Sequence, residues 1–562
     1  MAGASIGTLS FDPITLEVIR NKLDGIANEM QLTLIRSSFS TIVKEALDAS
    51  ASLFTVRGET LAQAVALPGH LCMLVPMVGR VLETYPVGGM HEGDLFILND
   101  PYEGGTHLPD ICVIEPVFVC GRVIAFSAAL THHQDVGGMT PASVPTNATE
   151  IYQEGIRVPL LKLRDAGAWN DTLIAMLRKN VRIPDMFMGD LNAQVACCSI
   201  GARRIGELAQ AYDDLFLMAL FEEMLDRTER MTRAALRALP EGTYRYVMHL
   251  DNDGVELDKP ARIAVAVTLR DGAIGFDFTG SSPQTRGPIN AVPSGTYAAG
   301  CIAVRVLGDA SIPNNGGAFR PLHFTLPEAS VVNPREPAPV GVRAITIKIV
   351  TNAILGALRQ AAPARIPAEP AAQLAVIHFG GVGVGGEKYI TSQLLAGGTG
   401  ASRGMDGVDV MDTDSSNCCN VAAEALEMAA PLIVHTLRLA RDSGGAGTAR
   451  GGLGCEQEFE MLADGVTVTY RGERHHFHPA GVAGGGEARL AHAELTRAGA
   501  TPVALPSKQV LTLNRGDRLI VCTAGGGGHG PAVARDRALV RADIENGKVS
   551  REAAAESYGY TG

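Results

Sequence analysis

Asn99-Asp100-Pro101-Tyr102-Glu103-Gly104-Gly105-Thr106-His107-Leu108-Pro109-Asp110 leads into an apolar run at 111–130, which ends in Thr131-His132-His133-Gln134-Asp135-Val136-Gly137-Gly138. The run is rich in Val, Ile and Phe and is broken once, at Cys120-Gly121. Such residues on both sides of a short break predict a β-hairpin or two adjacent buried strands. A hairpin returns its flanks to one end of a sheet, which gathers His107, Asp110, His132, His133 and Asp135. Imidazole nitrogen and carboxylate oxygen are ligands for Zn, Mn or Fe, and a mixed set with open positions suits a catalytic ion. His107 and Asp110 share a loop bracketed by Gly104, Gly105 and Pro109. His132 and His133 are adjacent, so on a strand they face opposite sides, and at most one shares a site with His107.

Upstream, Asp12-Pro13 predicts a helix start, with Asp as cap and Pro in the first turn. Leu16, Ile19, Leu23, Ile26 and Met30 continue it as one apolar face, to an end near Ser37-Ser38. Lys44-Glu45-Ala46-Leu47-Asp48 follows; in a helix Glu45 and Asp48 would share a face. Strands are predicted at 51–56, with a turn at Arg57-Gly58, and at 93–98. From 169 to 239 the period becomes 3.6, with helices expected at 191–208 and 211–239. Strands return at 244–250, 263–269 and 274–279. The Pro/Ala stretch 362–369 reads as a linker, and 421–439 as a helix interrupted at Pro431.

This pattern defines a mixed α/β (α+β), multi-domain protein of β-rich domains with a helical segment around 170–240. We divide it into an N-terminal α/β domain carrying the metal site (1–240), a β-rich middle domain (241–365) and a Gly-rich α/β C-terminal domain (366–562). At 562 residues, with roughly 150 per domain, two to four domains are expected. A net charge of −12 argues against a nucleic-acid partner. No apolar run approaches the roughly 20 residues of a membrane span. The start, Met-Ala-Gly-Ala-Ser-Ile-Gly-Thr, lacks the features of a secretion signal. The 10 cysteines form no C-x-x-C pair and read as small buried hydrophobes. A reduced, cytoplasmic setting is expected.

Glycine runs occur at 380–386, 397–400, 442–454 and 525–530. None has the G-x-x-x-x-G-K-[ST] form that cradles phosphate, so they read as tight turns in a β-rich region. His475-His476-Phe477-His478 reads as a polar surface strand, with a second metal site as the alternative. Neither a G-x-S-x-G elbow nor an H-E-x-x-H helix is present.

Several segments, in one order along nearly the whole chain, resemble the hydantoinase B/oxoprolinase family. They are Asp12-Pro13-Ile14, Lys44 to Asp48, Ala62-Gln63 through His70, Asn99 to Tyr102 with Gly105 to Asp110, and Thr131 to Gly138. Asp277-Phe278-Thr279-Gly280-Ser281, Arg441 to Gly447 with Arg450 to Gly454, and Tyr558-Gly559 continue the likeness. Ala46 stands where relatives often carry Arg. The family holds the B-type subunits of ATP-dependent hydantoinases, the C-terminal part of 5-oxoprolinases, and large subunits of acetone and acetophenone carboxylases.

The resemblance implies a divalent metal ion (Mn, Zn or Fe) on His107, Asp110 and His132, with a carboxylate from Glu45 or Asp48. His133 and Asp135 become candidates for proton transfer beside it. It also implies a hydantoinase A-type partner that binds ATP and Mg, in a heterotetramer or larger assembly. In such enzymes ATP phosphorylates a carbonyl or enol oxygen, and the activated species meets water. The expected activity is hydrolysis of a cyclic amide such as a hydantoin, an N-methylhydantoin, 5-oxoproline or a related lactam. The alternatives are a subunit of an ATP-dependent ketone carboxylase and a non-catalytic scaffold subunit with a closed, structural metal segment.

Overall fold

The computed structural model describes residues 11–383 and 385–562; the N-terminal octapeptide read for secretion lies outside them. Helix α1 (Pro13–Ser37) starts where expected, the Asp12 side chain accepting from the Thr15 N–H. A single turn, α2 (Thr41–Lys44), precedes β1 (Ala49–Thr55) and β2 (Thr60–Gln63), and α3 (Pro68–Thr84) follows. Then come β3 (Leu95–Leu98), β4 (Asp110–Val119), β5 (Arg122–His132), β6 (Leu161–Asp165) and β7 (Ala168–Trp169). These seven strands form one antiparallel sheet in the order β2-β1-β5-β4-β3-β6-β7. The predicted hairpin is β4–β5. Its turn puts Cys120 (φ 50°) and Gly121 (φ 75°) in the left-handed region, as a two-residue hairpin loop requires.

The sheet is covered on both faces, which explains why 111–130 is continuously apolar rather than alternating. Leu53, Ile111 and Val113 pack toward α1 on one side, while Phe54, Cys112, Ile114 and Phe126 meet Leu74, Met77 and Val78 of α3 on the other. The helical segment is three helices, α4 (Asp171–Asn180), α5 (Pro184–Tyr212) and α6 (Asp214–Arg237). The break between the last two falls at Asp213, whose φ is 66° and whose carboxylate caps Leu215 and Phe216.

A second sheet, β11-β10-β9-β8, comprises β8 (Gly242–Leu250), β9 (Ala261–Arg270), β10 (Ala273–Asp277) and β11 (Leu322–Thr325). Helices α7 (Pro293–Leu307) and α8 (Arg343–Arg359) pack between it and α3. The third sheet is β13-β12-β16-β19, built from β12 (Leu374–Val382), β13 (Lys388–Ala396), β16 (Val466–Arg471) and β19 (Lys508–Leu513). The fourth, β14-β15-β20-β17-β18, uses β14 (Leu432–Leu439), β15 (Cys455–Met461), β20 (Arg518–Cys522), β17 (His492–Thr496) and β18 (Val503–Leu505). Helices α9 (Ala423–Ala429), α10 (Arg537–Glu545) and α11 (Arg551–Tyr558) complete the set. The sheets are separate, but one apolar core joins α1, β1 and β5 to β12, β13 and β16.

Four expectations are corrected. Residues 421–439 are not one helix: α9 ends before Pro431, and the β-branched Ile433, Val434 and Thr436 form β14. The 362–369 stretch is no free linker, since Ala362, Ile366, Ala368 and Glu369 are buried. His475 to His478 form no strand; the His475 and His476 N–H groups donate to Asp251 in an irregular segment. The glycine runs are mostly not tight turns. Those at 397–400, 444–454 and 525–528 avoid positive φ and form layers of backbone bonded to backbone, such as Gly445 N–H to Gly526 O and Gly526 N–H to Gly452 O. A Cβ on Gly451 would lie 1.7 Å from Gly526 O. Glycine is required there for close approach.

Candidate metal centre

Asp110 is the first residue of β4 and His132 the last of β5, and the register pairs them directly. His107 reaches the same point because the loop folds back, the Asp110 N–H donating to His107 O at 3.1 Å. His107, Asp110 and His132 bring one ligand atom each within 4.8 Å of the others, and all three are buried. Asp48 arrives from the neighbouring strand. The α2 turn ends at Lys44, Leu47 takes a left-handed φ of 62°, and the chain enters β1 with Asp48 O accepting from the His132 N–H. Glu45 and Asp48 therefore do not share a helical face. Glu45 is exposed, outside the cavity, whereas Asp48 lines it.

His107 Nδ1 is 3.1 Å from the Gly341 carbonyl, which can only accept, so the ring N–H is assigned to Nδ1. Nε2 then carries a lone pair, 3.1 Å from Asp110 Oδ1. Two lone-pair atoms at that distance call for a cation between them. Asp48 Oδ1, His107 Nε2, Asp110 Oδ1 and His132 Nδ1 are all buried without a hydrogen-bond partner among the described residues. The group of two imidazole nitrogens and one carboxylate oxygen, with the Asp48 carboxylate lining the adjoining cavity, fits Zn, Mn or Fe.

The electrostatics agree. Burial opposes charge on Asp110, but the Arg343 guanidinium bonded to it favours the ionised form, and the carboxyl is held well below the usual range. Thr106 also donates to this carboxylate. Burial, reinforced by Asp110, pushes Asp48 up to about 7; a cation alongside would restore the ionised form. Burial lowers His107 and His132, keeping them neutral as ligands must be.

The cavity lined by Asp48, His107 and His132, about 60 Å³, accommodates a few water-sized groups. Its further walls bring in residues that were not singled out in the sequence as site residues. His70, in the first turn of α3, has Nε2 3.5 Å from Asp48 Oδ1, and burial lowers it to about 4. His378 on β12 points inward with Leu374 and Val376, the period-2 face of that strand. Its Nδ1 is 2.7 Å from Ser392 Oγ, which accepts from Gln134. His378 Nε2, on the far side of the ring, is buried without a partner among the described residues. Arg343 and Arg471 complete the polar lining. A His or Arg inside an apolar run, as in 340–358 or 374–382, was the available signal.

His133 and Asp135 are placed away from the cavity lining. Strand alternation turns His133 away, its Nε2 2.9 Å from Gln194 Oε1 and its ring against Phe187. Asp135 is bound to Arg182 at 2.8 Å and accepts from the Gly137 and Arg182 N–H groups. Neither lines the cavity. His91, Asp94 and Asp165 form a second grouping at the surface, but Asp94 is already satisfied by Lys162 and the His91 and Ala166 N–H groups.

A sheet-borne group of imidazole and carboxylate ligands that could hold a metal ion, walled by histidine and arginine, lies within a mixed α/β architecture. The hydantoinase B/oxoprolinase profile matches residues 12–532, and the chain belongs to that family. It is 33% identical to the caprolactamase beta subunit of Pseudomonas jessenii, over 98% of this chain and 96% of that one. The crystal structure of that organism's ATP-dependent caprolactamase superposes with a TM-score of 0.90 at 30% identity, covering 98% and 96% of the two chains. A candidate B-type chain of a D-/L-hydantoinase from Pseudomonas sp. (strain NS671) is 31% identical over 98% of this chain and 95% of its own. The 5-oxoprolinase of Dictyostelium discoideum is 29% identical over 93% of this chain, which spans 41% of that longer protein. No helix among the described residues is long and apolar enough to cross a membrane.

Proposed function

We propose that this chain is the metal-holding subunit of an ATP-dependent cyclic-amide hydrolase. It would open a hydantoin, 5-oxoproline or related lactam together with an ATP-binding partner of the hydantoinase A type. One observation carries the reading: buried, unpartnered ligand atoms on His107, Asp110 and His132 lie together, and Asp48, His107 and His132 line the cavity beside them. Kinship with one chain of a caprolactamase supports the cyclic amide, and the absence of a P-loop motif from the sequence fits a partner that brings the nucleotide.

Asp48, His107, Asp110 and His132 would hold a divalent ion of Mn, Zn or Fe. When bound, such an ion supplies carbonyl polarisation or a water acidified to a pKa of about 7. The surrounding residues have separable tasks. Arg343 keeps Asp110 ionised and oriented, and the Gly341 carbonyl fixes the His107 tautomer. His378 presents a ring nitrogen to the cavity, and neutral His70 lies beside Asp48 as a hydrogen-bonding imidazole.

The test is reconstitution. The purified chain should carry about one Mn, Zn or Fe per chain, and His107→Ala should lose it. Full metal occupancy in that variant would overturn the ligand assignment. Mixed with the A-type partner, the chain should release phosphate and a ring-opened acid from ATP and a lactam. Turnover by the chain alone would overturn the two-subunit reading, and failure of the pair on every lactam would overturn the hydrolase.

A further inference from the structure

Five arginines are buried in the described chain. Four of them face carboxylates: Arg343 meets Asp110, Arg450 meets Asp409 and Asp543, Arg474 meets Glu369, and Arg535 meets Asp406 and Asp543. Arg471 is the exception. It is 7% exposed, its Nε is fully buried, and among the described residues its guanidinium makes neither a hydrogen bond nor an ion pair. A buried guanidinium without an anion is costly, and such a site is normally completed by a partner group.

Arg471 ends β16, opposite Val376 of β12. Cross-strand partners share a face, so its side chain enters the cavity beside Val376 and His378, across from the metal ligands. Ser415 and Ser416 line the same space. The nearby carboxylates are committed: Asp110 to Arg343, Asp412 to Lys348 in a pair that cancels its own charge, and Asp48 to the ligand set. With a divalent ion in place, two carboxylates stand against that ion and two guanidiniums, leaving an excess of two positive charges. A carboxylate ligand would cancel one of them. A phosphoryl group, with a charge of about −1.5 to −2 near neutrality, cancels both. Guanidinium is also the side chain whose planar fork matches phosphoryl oxygens.

We infer that Arg471 is the receptor for the phosphoryl group of an activated, phosphorylated substrate, holding it in the cavity opposite His107 and His132. Ser415 and Ser416 supply hydroxyl donors on the same wall. The choice of a phosphorylated substrate rests on the ATP-dependent reading above, whereas the existence of an anion receptor rests on the geometry alone.

The test titrates the metal-loaded full-length chain with inorganic phosphate, and separately with acetate, by calorimetry and by thermal shift. Wild type should bind phosphate at least tenfold more tightly than acetate, and phosphate should raise its Tm. Arg471→Gln should weaken phosphate binding at least tenfold, keep its metal, and melt no lower than wild type in phosphate-free buffer, because an unpaired buried charge has been removed. Arg471→Lys should recover part of the binding. If the Arg471 variants fold poorly, Ser416→Ala provides a second reading, a severalfold loss of phosphate affinity. Equal phosphate affinity in wild type and Arg471→Gln, or no binding by wild type, overturns the receptor; a preference for acetate overturns the phosphoryl assignment. The titration needs neither lactam nor partner, so its outcome is independent of whether reconstituted turnover succeeds.

Discussion

Glu154 Oε1 accepts the backbone N–H of Gly341 at 2.7 Å, and the carbonyl of that same glycine accepts from His107 Nδ1. A carboxyl that touches no ligand side chain thus sets the tautomer and pose of one. It also accepts the Val340 N–H, at 2.9 Å. Glu154→Ala strands two buried N–H groups, and metal affinity should fall by roughly 10–100-fold. Glu154→Gln keeps an acceptor oxygen and should stay near wild type. Chelator competition measures both, and an unchanged affinity in the alanine variant would reject the relay.

The same carboxyl gives a pH prediction. Burial pushes Glu154 up to about 8 from an ordinary 4.5, against the Gly341 and Val340 N–H groups that favour its charge. Between those values the folded chain binds more protons than the unfolded one, so the contribution to stability is full below the lower value and is lost as pH rises through the upper. Wild type should lose on the order of a few kcal/mol across that window, and Glu154→Gln should lack that slope. Thermal unfolding at a series of pH values checks it; parallel profiles for the two proteins would contradict it.

Asp135→Ala separates structure from chemistry. It breaks the contact with Arg182 and releases the Gly137 and Arg182 N–H groups. The expected loss is roughly 3 kcal/mol of stability with full metal retained. Denaturant unfolding and metal analysis on one preparation decide the matter; a metal-free but stable variant would return Asp135 to the site.

The glycine layers make a sharper contrast. Gly526→Ala would place a Cβ 1.9 Å from the Thr399 carbonyl oxygen, with backbone all around, so no soluble folded protein is expected. Gly206→Ala, on α5 with open space at the added carbon, should gain about 0.5–1 kcal/mol. Soluble yield and Tm report on each.

The hairpin was legible in sequence because apolar content, β-branching and a turn dipeptide agree over 111–130, and that register places Asp110 beside His132. The rest was hidden for identifiable reasons. Lys44 to Asp48 looks helical locally, but Leu47 turns left-handed so that Asp48 leads into β1 at Ala49, a tertiary demand without a local signal. Residues 432–439 fit a helical or an extended period equally, and Pro431 with neighbouring strands decides. His133 and Asp135 sit in the same motif as the ligands, yet alternation and Arg182 draw them away. His70, His378, Arg343 and Arg471 reach the cavity from distant segments, and no spacing rule links them to His107.

That dispersion bears on when, during synthesis, the proposed site becomes complete. His107, Asp110 and His132 emerge early, but the arginine that orients Asp110 and the carbonyl that fixes His107 belong to residues 341–343, and the opposite wall to 374–471. On the proposed ligand set, a nascent chain exposes its chelating side chains before the groups that orient and enclose them exist. Truncated chains that stop short of residue 341 should then hold a divalent ion less tightly than the full chain, while the hairpin itself can already form.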